Sequence, residues 1–202
     1  MRETDIKRMF AHYLLKKKTT EVVFFEYAFH FGRRRADIIS VEDGMVIGYE
    51  IKSAFDRIDR LEEQLKSYAQ LFDYVYVICD SKHIGAIRKI TPERVGIYQC
   101  AYSGLSRIRK AKQIKNFDSI TTLDAMPMDH LRRDFKIRGN SKLEICNKIS
   151  KSKQREDIKN TFRNYIIHKY SAQTAHFKNE LSETLTLDDV YSLSLPPNKL
   201  GT

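Results

Sequence analysis

Asp37, Glu50 and Lys52 are the residues of this 202-residue chain whose types and spacing can do chemistry. Two acids and an ammonium group on neighbouring strands can hold a hard divalent cation and steady the negative charge that builds when a phosphodiester is attacked. Their convergence follows from one turn. Asp43-Gly44 is the preferred pair for a two-residue type I′ hairpin and joins two apolar runs, which predicts strands over 36–42 and 45–52. With that turn Glu42 pairs with Met45, Val41 with Val46 and Ser40 with Ile47, and the ladder brings Asp37 opposite Glu50. Side chains alternate along a strand, so Glu50 and Lys52 share a face that Asp37 joins across the pair.

Ile39, Val41 and Val46 fall on that face, and Ile38, Met45, Ile47, Tyr49 and Ile51 on the other, the pattern of a sheet covered by helices on both sides. Two carboxylates in direct opposition repel, and stability alone would not place them there without compensation. The expected cofactor is Mg²⁺ or Mn²⁺, because such ions are held by one or two carboxylates together with water and substrate phosphate. An acid, any residue and a lysine also occurs on solvated strands that do no chemistry. The register of Asp37 and the apolar flanks distinguish this instance.

The surrounding elements read as follows. Thr4 can cap a first helix carrying Ile6, Met9, Phe10, Tyr13 and Leu14, and residues 21–29 read as a strand rich in β-branched and aromatic residues. Ile58, Leu61, Leu65, Tyr68 and Phe72 mark one face of a helix over 55–72. Tyr74 to Cys79 is a continuous apolar run, a buried strand expected to lie parallel to 45–52 across that helix. A helix over 82–89 and a last strand over 95–100 complete the α/β core.

Past residue 101 the composition changes. Residues 103–118 read as a basic connector and 119–202 as an all-α region, with a capping box at Ser141 and Glu144, a helix through Ile158, Phe162 and Tyr170, and a Pro196-Pro197 tail expected to fray.

At this point the chain resembles the PD-(D/E)xK phosphodiesterase superfamily. In that superfamily an acid at the start of one core strand and an acid-x-lysine on the next bind the catalytic metal, as Asp37, Glu50 and Lys52 match here. Gln64-Leu-Lys-Ser-Tyr68 is similar to the glutamine-xxx-tyrosine helix of the RecB-type exonuclease branch, and residues four apart share a helix face. Gly48-Tyr-Glu-Ile-Lys-Ser53 with Asp56 and Arg60 to Gln64 looks like a small, largely uncharacterised bacterial family assigned to the superfamily.

The resemblance covers residues 1–102 and implies a restriction-endonuclease-like mixed sheet flanked by helices. It implies a catalytic set of Asp37, Glu50, Lys52, Gln64 and Tyr68, and adds Glu26 and Ile51 to Asp37 and Glu50 as metal ligands. Ala36 stands where the name-giving proline would be, a tolerable change because the carboxylate carries the chemistry. Tyr68 reads equally as core packing, and Glu26 equally as a strand charge.

The balance of 36 Lys and Arg against 26 Asp and Glu, a formal charge of +10, favours a polyanionic partner, and with the resemblance the expected partner is DNA. Candidate phosphate contacts are Arg33, Arg34 and Arg35 in one turn, Arg107, Arg109 and Lys110 in the connector, and Arg132 and Arg133 before the capped helix. Each group also reads as solvated surface, and the C-terminal helices as a cover for the core or a docking face for a second copy or another protein. No run reaches the roughly 18 apolar residues of a membrane span. The charged N-terminus lacks the apolar stretch of a secretory signal, so a cytoplasmic location is expected. The three cysteines have no zinc-type spacing and read as buried thiols. A metal-dependent nuclease is the expected function. A non-catalytic nucleic-acid-binding or interaction protein on the same scaffold is the alternative.

Overall fold

Alternating and continuous apolar runs make β1 (Thr20–Phe29), β2 (Arg34–Glu42) and β3 (Met45–Lys52) the first half of a six-stranded sheet. This is a computed structural model, which describes residues 1–179 and 185–195. Asp43 and Gly44 both take positive φ, 50° and 71°, as a type I′ turn requires. The resulting register pairs Glu42 with Met45, Val41 with Val46, Ser40 with Ile47, Ile39 with Gly48 and Ile38 with Tyr49, as the turn dictates.

β4 (Tyr74–Asp80) lies parallel to β3, β5 (Gly96–Ala101) lies parallel to β4, and β6 (Gly104–Arg109) closes the sheet antiparallel to β5. The strands run in chain order from β1 to β6. The connector read from 103 to 118 therefore begins as a strand. Its sequence hides this because an edge strand with no buried residue carries polar and charged side chains where an inner strand carries apolar ones.

Helices cover both faces. On one side lies α1 (Glu3–Lys16), whose Ile6, Phe10 and Leu14 pack with Phe25, Ile38 and Tyr49. It begins earlier than a Thr4 cap would allow, with the Arg2 amide donating to the Asp5 carboxylate. On the other side lies α2 (Leu61–Ala69), shorter than the 55–72 expected, because the Ser53 amide donates to Asp56 in a turn and leaves Phe55 79% exposed. A single 3₁₀ turn and α3 (Ile84–Ile90) lead to β5.

The C-terminal helices α4 (Ser119–Asp124), α5 (Met128–Phe135), α6 (Lys142–Ser152) and α7 (Arg155–Asn179) bury Leu123, Leu131, Ile145 and Phe162 in the same core as Leu65, Phe72 and Val77. The Ser141 hydroxyl caps α6 by accepting from the Glu144 amide, while the Glu144 carboxylate takes the Asn140 amide. Residues 119–179 thus roof the sheet. The short α8 (Leu187–Ser192) packs on the α1 side through Val190. The Pro196-Pro197 tail lies outside the described residues. Cys79, Cys100 and Cys146 are free and buried, as expected.

Gly48 is needed for close approach. A Cβ there would lie 2.3 Å from the Phe72 ring, which packs directly on β3.

Candidate active site

Glu50 and Lys52 sit at the end of β3 on the face covered by α2, with the Lys52 ammonium 2.7 Å from Glu50 Oε1. Leu61 and Leu65 anchor α2 in the core, and the helix turn then carries Gln64 and Tyr68 to the same carboxylate. The Gln64 amide donates to Oε1 at 2.5 Å and the Tyr68 hydroxyl to Oε2 at 2.6 Å. Burial, then the Glu50 and Asp37 charges, push the Tyr68 phenol well above its ordinary pKa, so it stays protonated and donates. Glu50 is 2% exposed and Lys52 8% exposed. A carboxylate so buried persists only with partners of this kind.

Asp37, half-buried near the start of β2, accepts a hydrogen bond from the Ile51 amide at 2.7 Å, and its own amide donates to the Tyr68 hydroxyl at 3.3 Å. Burial, then the Glu50 carboxylate, push the Asp37 carboxyl up to about 8; the Ile51 amide and Lys7 act against the rise and Glu3 adds to it. The carboxyl is therefore short of positive charge.

Asp37 does not simply join the Glu50 face, as period-two alternation requires. Along β1, Val22 and Phe24 face the C-terminal helices and Val23 and Phe25 face α1, yet beyond Glu26 both Tyr27 and Phe29 face the C-terminal helices. On β2 the same break falls at Asp37, since Ile39 and Ala36 face one way and Ile38 the other. The register places these two breaks opposite each other, between the pairs Phe25 with Ile38 and Tyr27 with Ala36. Glu26 supplies the distortion, with a left-handed φ of 57°. The outcome brings Asp37 and Glu26 together with Glu3 of α1, one carboxylate oxygen from each lying within 4.8 Å of the others.

The predicted ligands thus separate into two adjoining groups. Glu26 and Asp37 meet Glu3, which the sequence reading missed, while Glu50 belongs to the Lys52, Gln64 and Tyr68 network beside them. Ile51 contributes its amide, as donor to Asp37. Lys7 was missed as well. It bonds Glu26 and lies 2.7 Å from Glu3 Oε1; burial opposes its charge, but these two acids outweigh burial and hold the ammonium above its ordinary pKa. The Glu3 to Lys7 spacing on α1 was a signal, but such pairs are commonplace on solvated helices.

The candidate phosphate contacts do not form one surface. The three arginines do not share one turn: Arg33 is exposed in the turn, whereas Arg34 and Arg35 begin β2, where Arg34 pairs with Glu63 and Arg35 bonds Glu26 at 2.6 Å. Arg107 and Lys110 line a cleft with Tyr74, Tyr98 and the Asp43 turn, at the other end of β3. Arg109 is occupied internally, by the carbonyls of Val95 at 2.7 Å and Pro92 at 3.0 Å and by the Thr91 hydroxyl at 2.6 Å. Arg132 donates to the Gly139 carbonyl at 3.0 Å, and Arg133 lies 2.9 Å from Asp134.

Three comparisons with known proteins bear on this chain. The family model described as Bacteriophage P4 protein cII matches residues 1–194. Protein cII of Enterobacteria phage P4 is 23% identical over 211 residues, covering 96% of this chain and 78% of its own. Among solved structures, a protein of unknown function from Silicibacter pomeroyi is similar at a TM-score of 0.44 and 16% identity, over 69% of this chain and 97% of that one.

Proposed function

The chain belongs to the family of bacteriophage P4 protein cII, and from its site we propose that it is a metal-dependent phosphodiesterase of the PD-(D/E)xK kind, acting on DNA. One observation carries the reading: a buried lysine, a glutamine and a tyrosine all converge on Glu50, next to an acid cluster in which the Asp37 carboxyl is starved of positive charge. The donor set is all oxygen and suits Mg²⁺ or Mn²⁺. Asp37 and Glu50 would hold the ion, with Glu26, Glu3 and the Ile51 main chain at its margin. A bound divalent cation supplies polarisation of the phosphoryl oxygens and a more acidic water.

The chain's own groups do the rest. Lys52, fixed by Glu50, presents an ammonium that steadies charge on the attacked phosphoryl group. Gln64 and Tyr68 hold Glu50 in one orientation; with Lys52 they place two donors on Oε1 and one on Oε2, which leaves Oε2 a lone pair for the ion. Lys7 and Arg35 both pair with Glu26 and offset part of the cluster's negative charge.

A second reading, a nucleic-acid-binding or interaction protein without catalysis, draws on the same bonds. Glu50 already has three internal donors and Glu26 two basic partners, as in a purely structural polar network. Cleavage of single-stranded, double-stranded and branched DNA in Mg²⁺, Mn²⁺ or EDTA separates the two. Wild type is expected to cleave only with a divalent ion, and Asp37→Ala and Lys52→Ala to lose about 100-fold or more while binding DNA as before. Full cleavage by both variants removes the assignment.

A further inference from the structure

The strand that carries Glu26 also walls a separate pocket of about 490 Å³, between β1, the turn that follows it, and helices α6 and α7. Its chemistry is aromatic and cationic. The Lys169 ammonium lies 5.3 Å and 5.0 Å from the ring centres of Tyr165 and Tyr170 and bonds the Tyr165 hydroxyl at 2.8 Å. No carboxylate among the described residues meets it. Burial holds its pKa below the ordinary lysine range, so the charge is partly desolvated and unneutralised. By contrast Lys142, in the same pocket, is matched by Asp124 at 3.0 Å.

A second feature at this pocket is independent of charge. His30 and Phe31 are both held in the left-handed region, at φ 52° and 55°, where non-glycine residues are strained. The Phe31 amide donates to the buried Asp124 carboxylate, which fastens the turn. The strained backbone leaves the Phe31 ring 48% exposed at the pocket. A large apolar ring fixed in solvent beside a half-buried, unmatched ammonium suits a ligand that is both flat and anionic.

We propose that this pocket binds one nucleotide unit, with the base against the exposed Phe31 ring and the phosphate on Lys169, which the buried Tyr165 and Tyr170 rings hold in place. Its source is a single strand that passes from the pocket over β1, the edge strand of the sheet, toward Asp37 and Glu50. The choice of a strand rests on the nuclease reading; the pocket's chemistry does not.

The test is fluorescence anisotropy in EDTA, where hydrolysis is off, using labelled 15-residue oligothymidylate, the same oligomer with abasic sites, and thymidine monophosphate as competitor. Phe31→Ala and Lys169→Met are measured beside wild type, with melting curves to verify folding. Each variant is expected to weaken oligothymidylate binding about tenfold, in line with the loss of one stacked base or one phosphate contact. The abasic oligomer is expected to bind wild type as weakly as oligothymidylate binds Phe31→Ala. Competition by the monophosphate at low concentration would assign the pocket to a free nucleotide and overturn the strand. Equal binding of abasic and intact oligomers, or unchanged affinity in both folded variants, would overturn the pocket. A result of weakened binding in the variants, with no cleavage by wild type in Mg²⁺, would keep the pocket and remove the nuclease.

Discussion

At the scale of single residues, the chain places charge where burial makes it costly, and it does so in two places with different consequences. Glu50 and Lys52 are a buried pair with supporting donors, positioned beside an acid cluster. Lys159 of α7 is 1% exposed; burial, with Arg163 adding to it and Asp73 opposing it, lowers its pKa to about 8. Here Asp73 is bonded to Arg163 at 2.7 Å and to the Val46 amide at 2.8 Å, and ties α7 to the start of β3. The unfolded lysine, near 10.5, binds a proton that the folded one has released between pH 8 and 10.5, so this group's contribution to stability rises with pH across that window. Relative to Lys159→Met, wild type should gain up to about 3 kcal/mol between pH 7.5 and 10.5 in denaturant titrations. A difference that stays flat over that range would contradict the burial of a charged Lys159.

Elements were legible in the sequence to the extent that they are local. Asp43-Gly44 and the apolar alternation specify the hairpin register, and β3 runs from Met45 to Lys52 as expected. The Gln64 and Tyr68 spacing was enough to bring both to Glu50, because a helix fixes what lies four residues apart. What escaped is tertiary. Nothing in the Glu3 and Lys7 pattern says that α1 docks against Glu26, and nothing in the residues flanking Glu26 announces a left-handed turn of backbone inside a strand. The break at Glu26 and Asp37 is a misfit to period-two alternation that only the paired strands reveal. β6 escaped for a different reason, since Ser106, Arg107 and Ile108 are exposed and leave little apolar pattern to read.

A prediction at this scale concerns Gly48, where the Phe72 ring leaves no space for a methyl group. Gly48→Ala should destabilise the fold by about 1–3 kcal/mol, the usual range for overpacking a close-packed interior. Gly48→Ala combined with Phe72→Leu should recover part of that loss, measured by the shift in melting temperature.

For the molecule as a whole the formal charge is +10, and the candidate basic groups lie apart from one another. Arg35 stands beside the acids, bonded to Glu26, whereas Arg107 and Lys110 lie by the Asp43 turn. On the proposed nuclease reading, Arg35 is the one of these three placed to meet a phosphate at the acid cluster. Arg35→Ala should lower the slope of log affinity for DNA against log salt by about 1, and Lys110→Ala should leave it unchanged. Equal effects from both would point to a diffuse electrostatic contact. The C-terminal helices share the core of the sheet, so their removal should unfold the chain and not liberate a working core. No described helix is long and apolar enough to cross a membrane.

The most direct test of the whole account is calorimetric titration of Mn²⁺ into wild type and Asp37→Asn at neutral pH. Wild type should bind Mn²⁺ with release of protons, because the ion must displace the proton that burial and Glu50 hold on Asp37. Asp37→Asn should bind at least about tenfold more weakly and release fewer protons. Equal affinity and equal proton release in the two proteins would mean that these acids do not hold a metal.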